Sequence, residues 1–161
     1  IDNSGNNYSL NDELKNGPVI VVFYRGEWCS YCNRHMAEIE TALPQIIALG
    51  ATVVAITPEL EKFVKKTVKK TKASFRIITD KDRSIMNEWN VSFRLDEHIY
   101  TRYRAFGINL DKANGNEERI LPVPATYIIN TDGTIEGAHF NTDYTERMPV
   151  QEMLNILSEL R

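Results

Sequence analysis

The chain has 161 residues, 42% of them hydrophobic and 25% charged, with a formal net charge of −3. That size and balance fit one folded domain with a real hydrophobic core and exclude a disordered chain. The mild acidity gives no electrostatic footprint for nucleic acid or an anionic membrane, and no apolar run approaches the roughly 18–20 residues of a membrane span.

The chain opens Ile1-Asp2-Asn3-Ser4-Gly5, with no basic start and no apolar leader. A start at Ile reads as a trimmed end. The expected compartment is the cytoplasm, with the periplasm or envelope as the alternative. Residues 3–16 are polar and turn-rich, with a short helical turn at 10–14. Residues 19–24, uniformly apolar and rich in β-branched side chains, predict a buried strand. A helix follows over 29–49, because Cys32, Met36, Ile39, Leu43, Ile46 and Ile47 recur at three- and four-residue steps. Pro44 predicts a kink in it, and Gly50 ends it. A second strand over 52–56, a helix over 59–72, a third strand over 75–79 and a short helix over 83–89 come next. A helix over 96–106 and a polar surface excursion over 111–119 lead to a strand at 126–130. The turn Thr131-Asp132-Gly133-Thr134 returns the chain into a strand at 135–140, and a helix over 147–160 closes it. Three alternations of strand and helix, a hairpin and a final helix predict an α/β fold of a single domain. Its mixed central sheet would carry helices on both faces.

Both cysteines lie in one tetrapeptide, Cys29-Ser30-Tyr31-Cys32, between the first strand and the first long helix. Two intervening residues let the first turn of a helix close a small reversible disulfide. Cys29 is expected at the N-cap, where unsatisfied N–H groups favour a thiolate, and Cys32 one turn further in, more buried and less ionised. His35 lies one turn beyond Cys32. It is either a proton carrier or a helix-face histidine bonded to water or backbone. Arg25 either steadies a thiolate or oxyanion or pairs with a surface carboxylate. Cys29, Cys32 and His35 make three potential zinc ligands but no signal supplies a fourth, so no metal is expected. The lysines at 62, 65, 66, 69, 70 and 72 read as a solvated helix face that an acidic redox partner could use.

Three stretches carry a family resemblance: Phe23-Tyr24-Arg25-Gly26-Glu27-Trp28-Cys29-Ser30-Tyr31-Cys32, Leu121-Pro122-Val123-Pro124-Ala125-Thr126-Tyr127-Ile128-Ile129-Asn130, and Asp143-Tyr144-Thr145-Glu146-Arg147. Through them the chain resembles the peroxiredoxin-like branch of the alkyl hydroperoxide reductase/thiol-specific antioxidant family, within the thioredoxin-fold superfamily. The resemblance implies a thioredoxin-like fold and Cys29 and Cys32 as the redox pair. It also implies that Pro124 is a cis-proline facing the dithiol and that the backbone of Val123 is offered to an extended substrate. Trp28 and Tyr31 are expected to support the site. Two departures stand out. Gly26 occupies the position three before Cys29, where such proteins carry a hydroxyl, and Ser30 stands where many carry proline.

The reading ranked first from the sequence is a thiol–disulfide oxidoreductase in which Cys29 attacks and Cys32 resolves. The alternatives are a thiol-dependent peroxidase with the same two roles, and a non-catalytic redox sensor or binding module. A disulfide or peroxide substrate and an external thiol reductant such as thioredoxin or glutathione are expected, with no cofactor. Nothing in the sequence specifies an oligomeric state.

Overall fold

The computed structural model describes residues 1–160. Its centre is a five-stranded sheet in the order β3-β2-β1-β6-β7. The strands are β1 (Val19–Phe23), β2 (Thr52–Thr57), β3 (Arg76–Thr79), β6 (Ala125–Ile129) and β7 (Ile135–Phe140). β1, β2 and β3 run parallel, while β6 and β7 join the other edge antiparallel. This is the mixed sheet expected from three crossovers followed by a hairpin.

β1 is buried along its whole length, so its alternate side chains feed two cores. Ile20 and Val22 belong to a core with Cys32, Met36, Ile39 and Ile46 of α2 (Ser30–Ala48), Val64 of α3 (Glu61–Thr71), and Met153 and Leu157 of α7 (Val150–Glu159). Val19, Val21 and Phe23 face the other way, against Leu14 of α1 (Leu10–Leu14) and Met86 of α4 (Ser84–Glu88). The sheet therefore carries helices on both faces. α2 runs through Pro44 as one continuous helix. The exposed face of α3 holds the lysines, two of them ion-paired, Lys65 with Glu61 and Lys70 with Glu27.

Three local features differ from the sequence expectation. Residues 92–94 and 120–122 form a separate antiparallel ribbon, β4 (Ser92–Arg94) with β5 (Ile120–Pro122). Each is three residues long, too short for a period-two signal. Between them lie α5 (Glu97–Ala105) and α6 (Leu110–Asn114). The expected surface excursion includes α6, which buries Leu110, Ala113 and Asn114, and the carbonyl of Ala113 accepts from the N–H of Leu60 at 2.9 Å. The last helix begins at Val150, with Pro149 as N-cap. A residue before proline disfavours helical backbone. That delay keeps Arg147 out of the helix, which matters for the site.

Candidate active site

Cys29 is the N-cap of α2, in extended backbone, and its Sγ accepts the N–H of Cys32 at 3.4 Å. Both cysteines are free thiols and buried, Cys32 at 1% exposure and Cys29 at 5%. The loop that delivers them is tied down by Asn33 Nδ2, which donates to the carbonyl of Glu27 at 2.7 Å. To this extent the expected strand–turn–helix site is present.

Its electrostatics run opposite to the expectation. Arg147 places Nη2 3.2 Å from Cys32 Sγ, across a separation of 115 residues. Burial opposes ionisation of Cys32, but the hydrogen bond from Cys29, the Arg147 guanidinium and the backbone N–H of Arg25 outweigh it and bring the thiol down to about 6. Cys29 is pushed up, first by the hydrogen bond it makes to Cys32 and then by burial, against the field of Arg25. The two thiols titrate as one unit, and the arginine contact favours the charge on Cys32. The sequence reading expected the thiolate at Cys29, whereas the arginine contact lies at Cys32. A full charge in direct contact outweighs partial charges at a helix start.

The same geometry changes the meaning of Gly26. Counted from Cys32, the position three before is Cys29, whose Sγ accepts the N–H of Cys32. Gly26 serves the backbone instead. A Cβ there would lie 2.5 Å from Trp28 Nε1 and 2.6 Å from Glu59 Oε1.

Arg147 and Glu59 are the site residues that the sequence reading did not single out. Arg147 is held by its own loop, Nη1 donating to the carbonyls of Tyr144 and Glu146. Its neighbour Met148 offers a carbonyl to His35 Nε2 at 3.1 Å. His35 is buried, and desolvation pushes it down to about 4, so it is neutral. It pins the Arg147 segment to α2 and is the backbone-bonded histidine of the two readings. Glu59 is fully buried; Oε2 accepts the N–H of Glu27 at 2.8 Å, while Oε1 has no partner. Burial pushes its carboxyl up to about 8. A lone acid in a Thr-Pro-Glu turn carries no sequence signal for this.

Arg25 is 3% exposed and pairs with no carboxylate among the described residues. Its guanidinium donates to the hydroxyl of Tyr103 and lies over the rings of Trp28, Tyr103 and Tyr144 at 4.8, 5.6 and 4.5 Å. Tyr31, at the rim, meets Tyr144 edge-on at 5.9 Å. The Val123–Pro124 bond is trans, as is every peptide bond among the described residues, which corrects the expected cis-proline. Pro124 carries the chain in passing from β5 to β6, with no tight turn to make. The N–H of Val123 is already given to the carbonyl of Val91 at 2.7 Å. Val123 and Pro124 instead line a cavity with Arg25 and Tyr144. Among the described residues no His, Cys, Asp and Glu side chains converge to hold a metal ion, and no helix is long and apolar enough to cross a membrane.

A dithiol at a helix start, one sulfur in contact with an arginine, on a thioredoxin-like sheet, defines a thiol-based oxidoreductase. Residues 1–138 match the model of the AhpC/TSA family, and the chain belongs to that family as a peroxiredoxin-like oxidoreductase. It is similar to the chloroplastic peroxiredoxin Q of Sedum lineare, with 24% identity over 160 residues, covering 99% of this chain and 73% of that protein. Its similarity to the Gentiana triflora peroxiredoxin Q is also 24%, over 97% of this chain and 61% of that protein. Among solved structures, the fold resembles peroxidoxin BcpB from Mycobacterium tuberculosis (TM-score 0.74, 16% identity, 99% and 90% of the two chains). It also resembles a cysteine-to-serine mutant of Xylella fastidiosa PrxQ (TM-score 0.71, 18% identity, 94% and 82%).

Two measurements test these electrostatics. Thiolate absorbance should titrate near pH 6 in the reduced protein. In Arg147→Gln the midpoint should climb toward the ordinary thiol range; an unchanged midpoint refutes the contact. Glu59 has a folded pKa raised above its ordinary value, so the folded state holds the extra proton between about 4.5 and 8. Stability should therefore fall as pH rises through that window, and denaturation of Glu59→Gln should lose most of that slope.

Proposed function

We propose that the protein is a thiol peroxidase in which Cys32 attacks the peroxide and Cys29 resolves it. This reverses both the ranking and the roles that the sequence suggested. The observation that carries it is the Cys32 sulfur 3.2 Å from the Arg147 guanidinium and one helical turn from Cys29, with burial opposed by charges that favour its thiolate. Family membership and the peroxiredoxin Q relatives support the reaction class. Burial adds a further argument. A sulfur with 1% exposure at the base of a closed turn admits a small peroxide far more readily than a protein disulfide.

The chemistry balances on these residues. The Cys32 thiolate attacks one oxygen of ROOH, the O–O bond breaks, and Cys32 becomes a sulfenic acid. The departing RO⁻ takes the proton that Cys29 holds, giving ROH. The Cys29 thiolate then attacks the Cys32 sulfur, forming the disulfide and expelling hydroxide, which solvent protonates to water. An external dithiol such as thioredoxin would supply the two electrons that reset the pair. Arg147 remains cationic throughout and stabilises first the thiolate and then the charge that develops on the peroxide oxygens. Loss of one such oriented donor costs about 10²–10³ in rate in comparable sites.

The test is turnover of hydrogen peroxide and cumene hydroperoxide with a thioredoxin system, beside insulin disulfide reduction. Peroxide turnover should dominate and vanish in Cys32→Ser. Cys29→Ser should stop after one peroxide and leave a sulfenic acid on Cys32 that dimedone labels. Arg147→Gln should lose about 10²-fold or more in peroxide rate. Dimedone labelling of Cys29 in Cys32→Ser protein would reverse the roles. Faster insulin reduction than peroxide reduction would restore disulfide exchange as the main activity.

A further inference from the structure

We propose that the cavity beside Arg25 is a binding site for an apolar chain that ends in a carboxylate. It is a site in its own right and stands whether or not the peroxidase reading does.

Arg25 carries an uncompensated charge. Arg25 is a permanent cation, 3% exposed, with no ion pair among the described residues. Nε has no hydrogen-bond acceptor, and the hydroxyl of Tyr103 is a neutral partner for Nη2. A buried guanidinium normally takes a carboxylate, because the cost of desolvating it otherwise stays unrecovered. Three aromatic faces offset part of that cost, but a ring accepts no in-plane N–H. The dithiol does not fill the gap. The arginine in contact with a sulfur is Arg147, 3.2 Å from Cys32, while the side-chain partner of Arg25 is the hydroxyl of Tyr103.

The adjoining space has the shape and chemistry to take a ligand. A cavity of about 360 Å³ borders Arg25, walled by Phe93, Leu95, Ile99, Val123, Pro124 and Tyr144. That volume is within the range of small-molecule sites. Phe93 and Tyr144 are 37% and 46% exposed, so the site has an aromatic rim open to solvent. No lysine, second arginine or histidine lines it. One cation matches a singly charged head rather than a phosphate dianion, and the apolar walls call for a tail. The guanidinium fork is complementary to a carboxylate. A neutral ester of the same chain would leave the cation as unpaired as before, which is the strongest basis for discrimination that a buried polar group offers.

Calorimetric titration of the reduced protein with decanoate, methyl decanoate and inorganic phosphate tests this without any peroxide. Decanoate should bind at least tenfold more tightly than methyl decanoate, with no heat from phosphate. Arg25→Gln should bind acid and ester alike. Arg25→Lys, which keeps the charge, should retain a preference for the acid, and the wild-type ratio decides the matter if Arg25→Gln fails to fold. Phe93→Ser should weaken both ligands equally. Equal affinity for acid and ester in the wild type, phosphate binding as tight as decanoate, or an acid preference that survives in folded Arg25→Gln would each overturn the site. A protein that binds decanoate but fails to reduce peroxides refutes only the proposed reaction.

Discussion

The contact between Arg147 and Cys32 is the constraint around which the rest of the site is arranged. An ionised sulfur with 1% exposure is tolerable only beside a full positive charge and several donors. The arginine comes from a segment 115 residues away, and α2 and α7 have to be packed accurately for the two to meet. Met36 of α2, Met148 of the intervening loop and Met153 of α7 share one buried cluster over the sheet, which fixes that relation. His35 then locks the loop by its bond to Met148, and the carbonyls of Tyr144 and Glu146 hold the guanidinium itself. The fold's contribution to the chemistry is this convergence. The sheet acts as the platform that makes it reproducible.

The site is also unusual in how its buried polar groups are left. Arg25 Nε, Trp28 Nε1 and Glu59 Oε1 are each enclosed without a partner, and all three surround the loop that leads into Cys29. Interiors satisfy the large majority of such atoms, so a cluster of exceptions marks a place where packing has yielded to something else. Gly26 lies at its centre, and only a residue without a Cβ passes between Trp28 and Glu59 there. One side of the loop thus carries a buried acid that is protonated near neutrality, the other a buried cation. The dithiol lies between them, and its shared proton is set by both fields as well as by Arg147.

Local patterns carried most of the fold. Val19 to Phe23 announces a central strand, the three- and four-residue spacing from Cys32 to Ile46 announces α2, and Thr131-Asp132-Gly133-Thr134 announces the hairpin. The elements that escaped, β4 with β5 and the five-residue α6, are too short to show a period and are fixed by tertiary contacts. The pair Cys29 and Cys32 and the N-cap position of the first were legible from spacing. The identity of the ionised sulfur was not, since it depends on a cation far away in the chain. Arg147 was visible as part of a motif but carried no role, because nothing local tells an arginine outside a helix what it faces. Pro124 was misjudged for a related reason. Its flanks read as a strand entry, and whether that entry turns tightly depends on where β5 has come from.

Contact with a cation, against the trend of burial, explains why the two halves of the dithiol differ despite sharing one helical turn. Cys29 caps α2 and has the N–H of Cys32 at 3.4 Å and the more distant field of Arg25 to favour a charge, while Cys32, deeper by one turn, meets Arg147 at 3.2 Å. Solvation alone would order them the other way, since the deeper sulfur loses more water. Direct contact with a guanidinium overcomes that difference, and the hydrogen bond between the sulfurs then amplifies it, since the proton that one gives up is held by the other. Such a pair titrates as a unit. Its first ionisation is favoured by the arginine, and its second is opposed by the charge already present.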